Sequence, residues 1–151
     1  PATEDATVVA RLRAGGALLI GKTNMHEIGI NPDGFNEHYG IIRNPYNLDC
    51  HAGGSSNGSA AAVAAGFCPI AIGADGGGSI RIPAALTGLV GLKATFGRVS
   101  EHGAAPLTWS MGHLGPIAAS VGDAALTYAV IAGPDARDPN SLHQPPVSLD
   151  G

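Results

Sequence analysis

Apolar residues fall into short runs, each closed by glycine or proline, and the runs switch between helical and extended spacing. Val8, Val9 and Leu12 stand at i, i+1 and i+4 and predict a helix over residues 2–14. Thr3 is placed to cap it, Glu4 and Asp5 suit its positive end, and Arg11 and Arg13 suit the other. Gly15-Gly16 stops it. Ala17–Ile20 is an apolar run between glycines and reads as a buried strand. Residues 31–49, rich in Asn, Asp, Gly and Pro, read as loop. Gly58–Ala65 predicts a helix of small residues ended by Gly66, and Pro69–Ala74 a second buried strand. A turn of helix follows at Pro83–Leu86, and Gly88–Leu92 reads as strand or bend. Ser120 caps a last helix over Val121–Ala132, closed by Gly133. Beyond Pro134, with Pro139, Pro145 and Pro146, residues 134–151 read as an exposed connector. Alternating helices and strands predict a three-layer α/β architecture. Two or three short strands cannot cover both faces and both edges of a sheet, so the chain reads as part of a larger one.

Composition sharpens this picture. Of 151 residues 44% are apolar and only 13% are charged, against about 25% in a typical soluble domain. So few charges predict a surface that is covered by something else. Two Lys and six Arg, without a basic run, argue against direct nucleic-acid contact. Cys50 and Cys68 cannot make a disulfide framework, and reduced thiols suit an intracellular protein, cytoplasmic or membrane-associated. The longest stretch without a polar side chain, Ala60–Ala74, is too short and too broken by Gly and Pro to span a membrane.

Two glycine-serine loops carry the candidate chemistry. Gly53-Gly54-Ser55-Ser56-Asn57-Gly58-Ser59 leads into one helix, and Asp75-Gly76-Gly77-Gly78-Ser79-Ile80-Arg81 lies between a strand and another. Taken singly, each also reads as a glycine turn with a serine helix cap. Three consecutive glycines before a serine let backbone amides converge on one point, as an oxyanion requires. A serine at a strand-to-helix turn is well placed as a nucleophile. One helix and one strand separate Ser55 from Ser79, so both fit the same sheet edge. Spacing like that of a phosphate loop at Gly53–Gly58 lacks the following Lys.

The stretch Gly53–Pro83 resembles the amidase signature family. GKTNMHE (Gly21–Glu27), RNPYNLD (Arg43–Asp49), GLVGLKATFGRVS (Gly88–Ser100) and GPIAASVGDAAL (Gly115–Leu126) match it as well. DGGGSIRIP and KTNMHE look most like the plant fatty acid amide hydrolase branch. The resemblance implies a three-layer α/β/α fold around a mixed sheet, with residues 1–151 as the central segment of one domain. It implies a Ser–cis-Ser–Lys triad with Ser79 as nucleophile and Ser55, after a cis peptide, as the relaying serine. The amides of Gly76, Gly77, Gly78 and Ser79 would form the oxyanion hole, with Ser56, Asp75 and Arg81 in support. The triad lysine is expected upstream of Pro1. Lys22 and Lys93 match later motifs and are poor substitutes. Ala74 stands where the family usually has Thr, Asn57 where it has Gly or Ser, and Ala94 where Pro is frequent.

The resemblance therefore implies an amide hydrolase that needs no cofactor or metal and acts on a small-molecule amide, with a fatty acyl amide as the branch-level guess. Peripheral membrane contact and a homodimer are the expected associations. Two alternatives stand beside it: a catalytically incompetent binding or assembly piece lacking the lysine, and the A-type subunit of an amidotransferase. Adjacent Cys50-His51, without a CxxC or HxxxH partner, reads as loop rather than metal site. His26 and Glu27 read as a polar helix start. Trp109, Met111 and His113 would line an acyl pocket or simply pack.

Overall fold

The computed structural model describes residues 2–149. Among the described residues there are four helices, α1 (Thr7–Ala14), α2 (Asn57–Ala64), α3 (Arg81–Leu86) and α4 (Val121–Ile131), with one 3-10 turn at Glu27–Gly29. The same residues form five strands, β1 (Arg43–Asn44), β2 (Asn47–His51), β3 (Ile70–Ala74), β4 (Val90–Gly91) and β5 (Leu114–Ala118). β1 and β2 form a separate hairpin, and the central sheet runs β3-β5-β4 with both pairings antiparallel.

Side chains alternate across this sheet and build two cores, as the period of two requires. Leu114 of β5, flanked by Ile72 and Ala74 of β3, packs with Val8 and Leu12 of α1 and Ile131 of α4. Ile117 points the other way, onto Ala60 of α2 and Ile80 and Ala84 at α3. Helices therefore cover both faces, which makes the α/β class and its three layers explicit. Ile80, Ile117 and Ile131 are fully buried, each contributing about 2 kcal/mol of transfer free energy. Pro116 sits in the middle strand and sets the length of β4. Leu92 N–H donates to its carbonyl at 3.0 Å, but proline has no N–H to return the bond, so that ladder stops at Gly91.

Several expectations change. The first helix begins at Thr7 with Ala6 at the cap position, not with a Thr3 cap, and no side chain closes that end. Ala17–Ile20 is not a strand: it finds no partner among the described residues, and Leu18 and Ile20 stand 91% and 72% exposed. Residues 31–49 are not all loop, because Arg43–Asn44 and the start of β2 form the hairpin. β5 is the central strand, although its Gly and Pro hide it from a pattern search. Residues 134–149 have no helix or strand, as their prolines predict, yet Asp138 is buried and Arg98 reaches the Pro145 carbonyl at 2.8 Å. No helix among the described residues is long and apolar enough to cross a membrane.

Candidate active site

Both glycine-serine loops lie at one end of β3. Ser56 N–H donates to the Ser79 carbonyl at 3.2 Å, which stitches one loop directly to the other. β3 is an edge strand here, and its outer backbone groups need partners. Serines supply them. Ser56 Oγ donates to the Ala74 carbonyl and accepts from the Ala74 amide, both at 3.1 Å, and Ser59 Oγ donates to the Ile72 carbonyl at 2.8 Å. Ser56 occupies the cap position of α2, but its hydroxyl makes no capping bond, and α3 is preceded by Ile80 rather than a serine. Neither loop is therefore a simple serine cap.

The Gly54–Ser55 peptide is cis. Ser55 is 2% exposed, its carbonyl accepts from the His26 amide at 3.1 Å, and its hydroxyl bonds to no described residue. Residues 24–34 run over this loop so closely that side chains are excluded. A Cβ on Gly58 would lie 2.1 Å from the Asn24 carbonyl oxygen, and one on Gly54 would lie 2.9 Å from that of Asn31. Asn57, fully buried, donates from Nδ2 to the Gly34 carbonyl at 2.8 Å. Its replacement of a smaller residue thus adds a tie between the two segments.

The loop that carries Ser79 is shaped by Asp75. Its carboxylate accepts from the Gly78 amide at 2.6 Å, the Ile80 amide at 3.2 Å, and Arg81 Nε and Nη2 at 2.9 and 3.0 Å. Burial alone would push this carboxyl up; the Arg81 guanidinium and the Ile80 and Gly78 amides override it and hold it at about 2. The Gly78 donor is engaged within its own loop. Its amide is spent on Asp75, so the backbone donors left free in this loop are those of Gly76, Gly77 and Ser79. Gly78 remains glycine for another reason: its φ is +134°, and a Cβ there would lie 2.7 Å from Ile82 Cδ1.

Other candidates separate from this cluster. Lys22 is exposed. Lys93 is tied up, donating to the Ala94 carbonyl at 2.7 Å with His113 Nε2 at 3.4 Å. Cys50 is exposed, and His51 Nδ1 accepts from the Gly53 amide at 3.0 Å, the geometry of a turn. Trp109 and Met111 stand exposed, so the packing reading fails for both among the described residues. His113 instead lines a small cavity of about 110 Å³ beside Gly76. Two polar residues of that cavity, Glu101 and Thr108, carry no signal in the sequence. Neither lies in a recognisable spacing, and only the fold brings them to Gly76.

Three comparisons bear on this geometry. The Amidase family model matches residues 1–150. The chain is 52% identical over 145 residues to the A subunit of glutamyl-tRNA(Gln) amidotransferase from Symbiobacterium thermophilum, covering 96% of this chain and 30% of that one. It is 49% identical over 146 residues to the fatty acid amide hydrolase of Oryza sativa subsp. indica, covering 97% of this chain and 24% of that one. The crystal structure of the same amidotransferase component from Thermotoga maritima superimposes with a TM-score of 0.93 at 40% identity, over 95% of this chain and 32% of that one. The chain thus spans less than a third of the length of these relatives, and it stands nearly as close to the hydrolase as to the amidotransferase component. With the family model running along almost every residue and relatives near half identity, the chain belongs to the Amidase family, the amidase signature enzymes.

Proposed function

We propose that this chain carries the nucleophilic centre of an amide hydrolase. Ser79 attacks the amide carbonyl, and its proton passes through Ser55. The amides of Gly76, Gly77 and Ser79 stabilise the oxyanion, and water later releases the acid from the acyl-enzyme. A serine hydroxyl needs a base within hydrogen-bond reach to do this. The base is a lysine outside these 151 residues, as the family resemblance implies, since Lys22 is exposed and Lys93 is engaged elsewhere. The observation that carries this reading is the 3.2 Å bond from the Ser56 amide to the Ser79 carbonyl, which fixes the two serine loops side by side. Asp75, Arg81 and Ser56 position those loops. The acyl group is a fatty acyl chain, on branch resemblance and the 49% identity to the rice enzyme.

The test uses the full-length protein. Ser79→Ala abolishes both hydrolysis of a fatty acyl amide and covalent labelling by a fluorophosphonate, while Ser55→Ala lowers hydrolysis by orders of magnitude and leaves the fold intact. Hydrolysis near the wild-type rate in Ser79→Ala would overturn the assignment. A second reading, the A-type component of an amidotransferase, is favoured by the 52% identity to one. It requires glutamine as the preferred amide donor and a partner protein, so a direct competition between glutamine and the fatty acyl amide separates the two.

A further inference from the structure

His26 has no part in the proposed chemistry but lies directly against it. Its amide donates to the Ser55 carbonyl at 3.1 Å, and its carbonyl accepts from the Gly29 amide at 2.9 Å. The turn closed in this way meets Ser55 at two points. One is the carbonyl. The other is the hydroxyl, since a Cβ on Gly29 would lie 3.5 Å from Ser55 Oγ. The backbone of this turn is strained. Ile28 sits in the left-handed region at φ +50°, beside Gly29 at +72°, and is 73% exposed. A β-branched residue persists there only where its surroundings hold it, and so exposed a side chain contributes little of that hold.

The imidazole of His26 supplies the brace. The side chain is only 13% exposed, with Nδ1 2.8 Å from the Glu27 carbonyl oxygen and Nε2 3.4 Å from Asp33 Oδ1. Both oxygens are acceptors, so the ring donates from each nitrogen. Asp33 is fixed in turn: its carboxylate accepts from Asn31 Nδ2 at 2.8 Å and from the Phe35 amide at 3.0 Å. The residues around it press on Gly54, where a Cβ would lie 2.9 Å from the Asn31 carbonyl oxygen and 3.1 Å from the Gly34 nitrogen. One ring therefore joins the turn that grips Ser55 to the segment that packs on Gly54. We propose that His26 is a positioning residue for Ser55: its ring braces the strained turn and so holds the Ser55 hydroxyl where a proton can pass through it. This role rests on the amide-hydrolase reading above, in which Ser55 relays the Ser79 proton.

Steady-state hydrolysis of a fatty acid p-nitrophenyl ester by the full-length protein tests it, on variants whose circular dichroism matches the wild type. Acyl transfer to Ser79 expels nitrophenolate, and water then releases the fatty acid. His26→Leu removes both ring donors, and Asp33→Ala removes the far acceptor while leaving His26 in place. Each lowers kcat about tenfold, a part of the roughly 10²–10⁴-fold that a well-placed proton-transfer group contributes. KM stays unchanged, because the brace does not bind substrate. His26→Gln, whose amide N–H reaches toward Asp33 as Nε2 does, restores most of the kcat. In a Ser55→Ala background neither His26→Leu nor Asp33→Ala has a further effect, because the group being placed is gone. A loss of the same size in that background, or a kcat near wild type in both single variants, would overturn the proposal and leave the hydrolase reading standing. Asp33→Ala alone decides the matter should His26→Leu not fold. Hydrolysis that survives Ser79→Ala would instead remove the hydrolase reading, and this role for His26 with it.

Discussion

Asp75 and Asp135 are built alike and serve different parts of the fold. Both carboxylates are nearly sealed from water, and each is paired with an arginine that is half exposed: Arg81 at 2.9 Å and Arg137 at 3.0 Å. The partners differ in origin. Every donor to Asp75 comes from residues 78–81, so its charge is spent on the shape of one loop. Asp135 gathers Thr7 from the start of α1, Ser100 from the segment after β4, and Arg137 beside it, while its own amide donates to Ser141 Oγ at 2.8 Å. One acid shapes a single loop from within, and the other fastens three distant segments. The same chemistry is local at the site and long-range in the scaffold.

The largest expected difference is in activity. Asp75→Asn turns an amide NH2 toward a ring made only of donors, and the loop loses the anchor that aims its amides. Hydrolysis by the full-length protein falls about 10²-fold, the usual loss for a misplacement near an ångström. Asp135→Asn leaves the turnover of folded protein within about twofold. Equal losses of turnover in the two variants would erase the distinction between loop and scaffold.

Stability reverses the emphasis. Removing one partner of a buried ion pair costs about 3–5 kcal/mol. Arg137→Ala falls below that range because its guanidinium is half in water. Asp135→Ala costs more than Arg137→Ala, about 1 kcal/mol for each of the bonds that Thr7 and Ser100 lose. Urea midpoints of the two variants measure this, and an Asp135→Ala midpoint within error of wild type would show that the three segments are held by other contacts.

Acid separates the pair in another way. Both carboxyls are held below the usual range: Asp75 against its burial by Arg81 and two amides, Asp135 first by the Arg137 side chain and then, against some burial, by Thr7 and Ser100. A depressed folded-state value contributes stability that is complete above the unfolded carboxylate value near 4 and is lost as pH falls through the folded one. For Asp75 the window runs from about 4 down to about 2; for Asp135 it extends lower. Asp75→Asn therefore flattens the decline in unfolding midpoint between pH 4 and pH 2, and Asp135→Asn flattens it further toward acid. A decline of unchanged steepness in both would mean other groups set it.

How far the sequence reveals all this depends on whether the signal is local. α4 was legible because Ser120 accepts from the Asp123 amide within four residues, and α2 because its alanines and Gly66 carry their own instructions. The serine loops were legible because glycine runs are a local record of close approach. β5 was not, because Gly115 and Pro116 suit a central strand only where Leu92 and Ile80 press against them. Ala17–Ile20 misled for the opposite reason: four apolar residues name a buried strand, but burial depends on a partner that no local pattern supplies. The seating of Thr108 against Gly76 is likewise a tertiary fact.

The smallest effect tests whether Asp135 acts as one junction or as separate bonds. Thr7→Val and Ser100→Ala each remove one hydroxyl donor, at about 1 kcal/mol for an intramolecular hydrogen bond. Arg137 Nη2 also donates to Thr7 Oγ1 at 2.9 Å, so Thr7 accepts from one member of the ion pair while donating to the other. Losing Thr7 loosens the arginine and, through it, the carboxylate that Ser100 uses. The double variant should then cost less than the sum of its parts, with a coupling of about 0.5–1 kcal/mol, the lower part of the range seen within one network. Strict additivity in a double-mutant cycle would mean that Asp135 binds its partners independently. It would then be a cluster of ordinary bonds, no different in kind from the local set around Asp75.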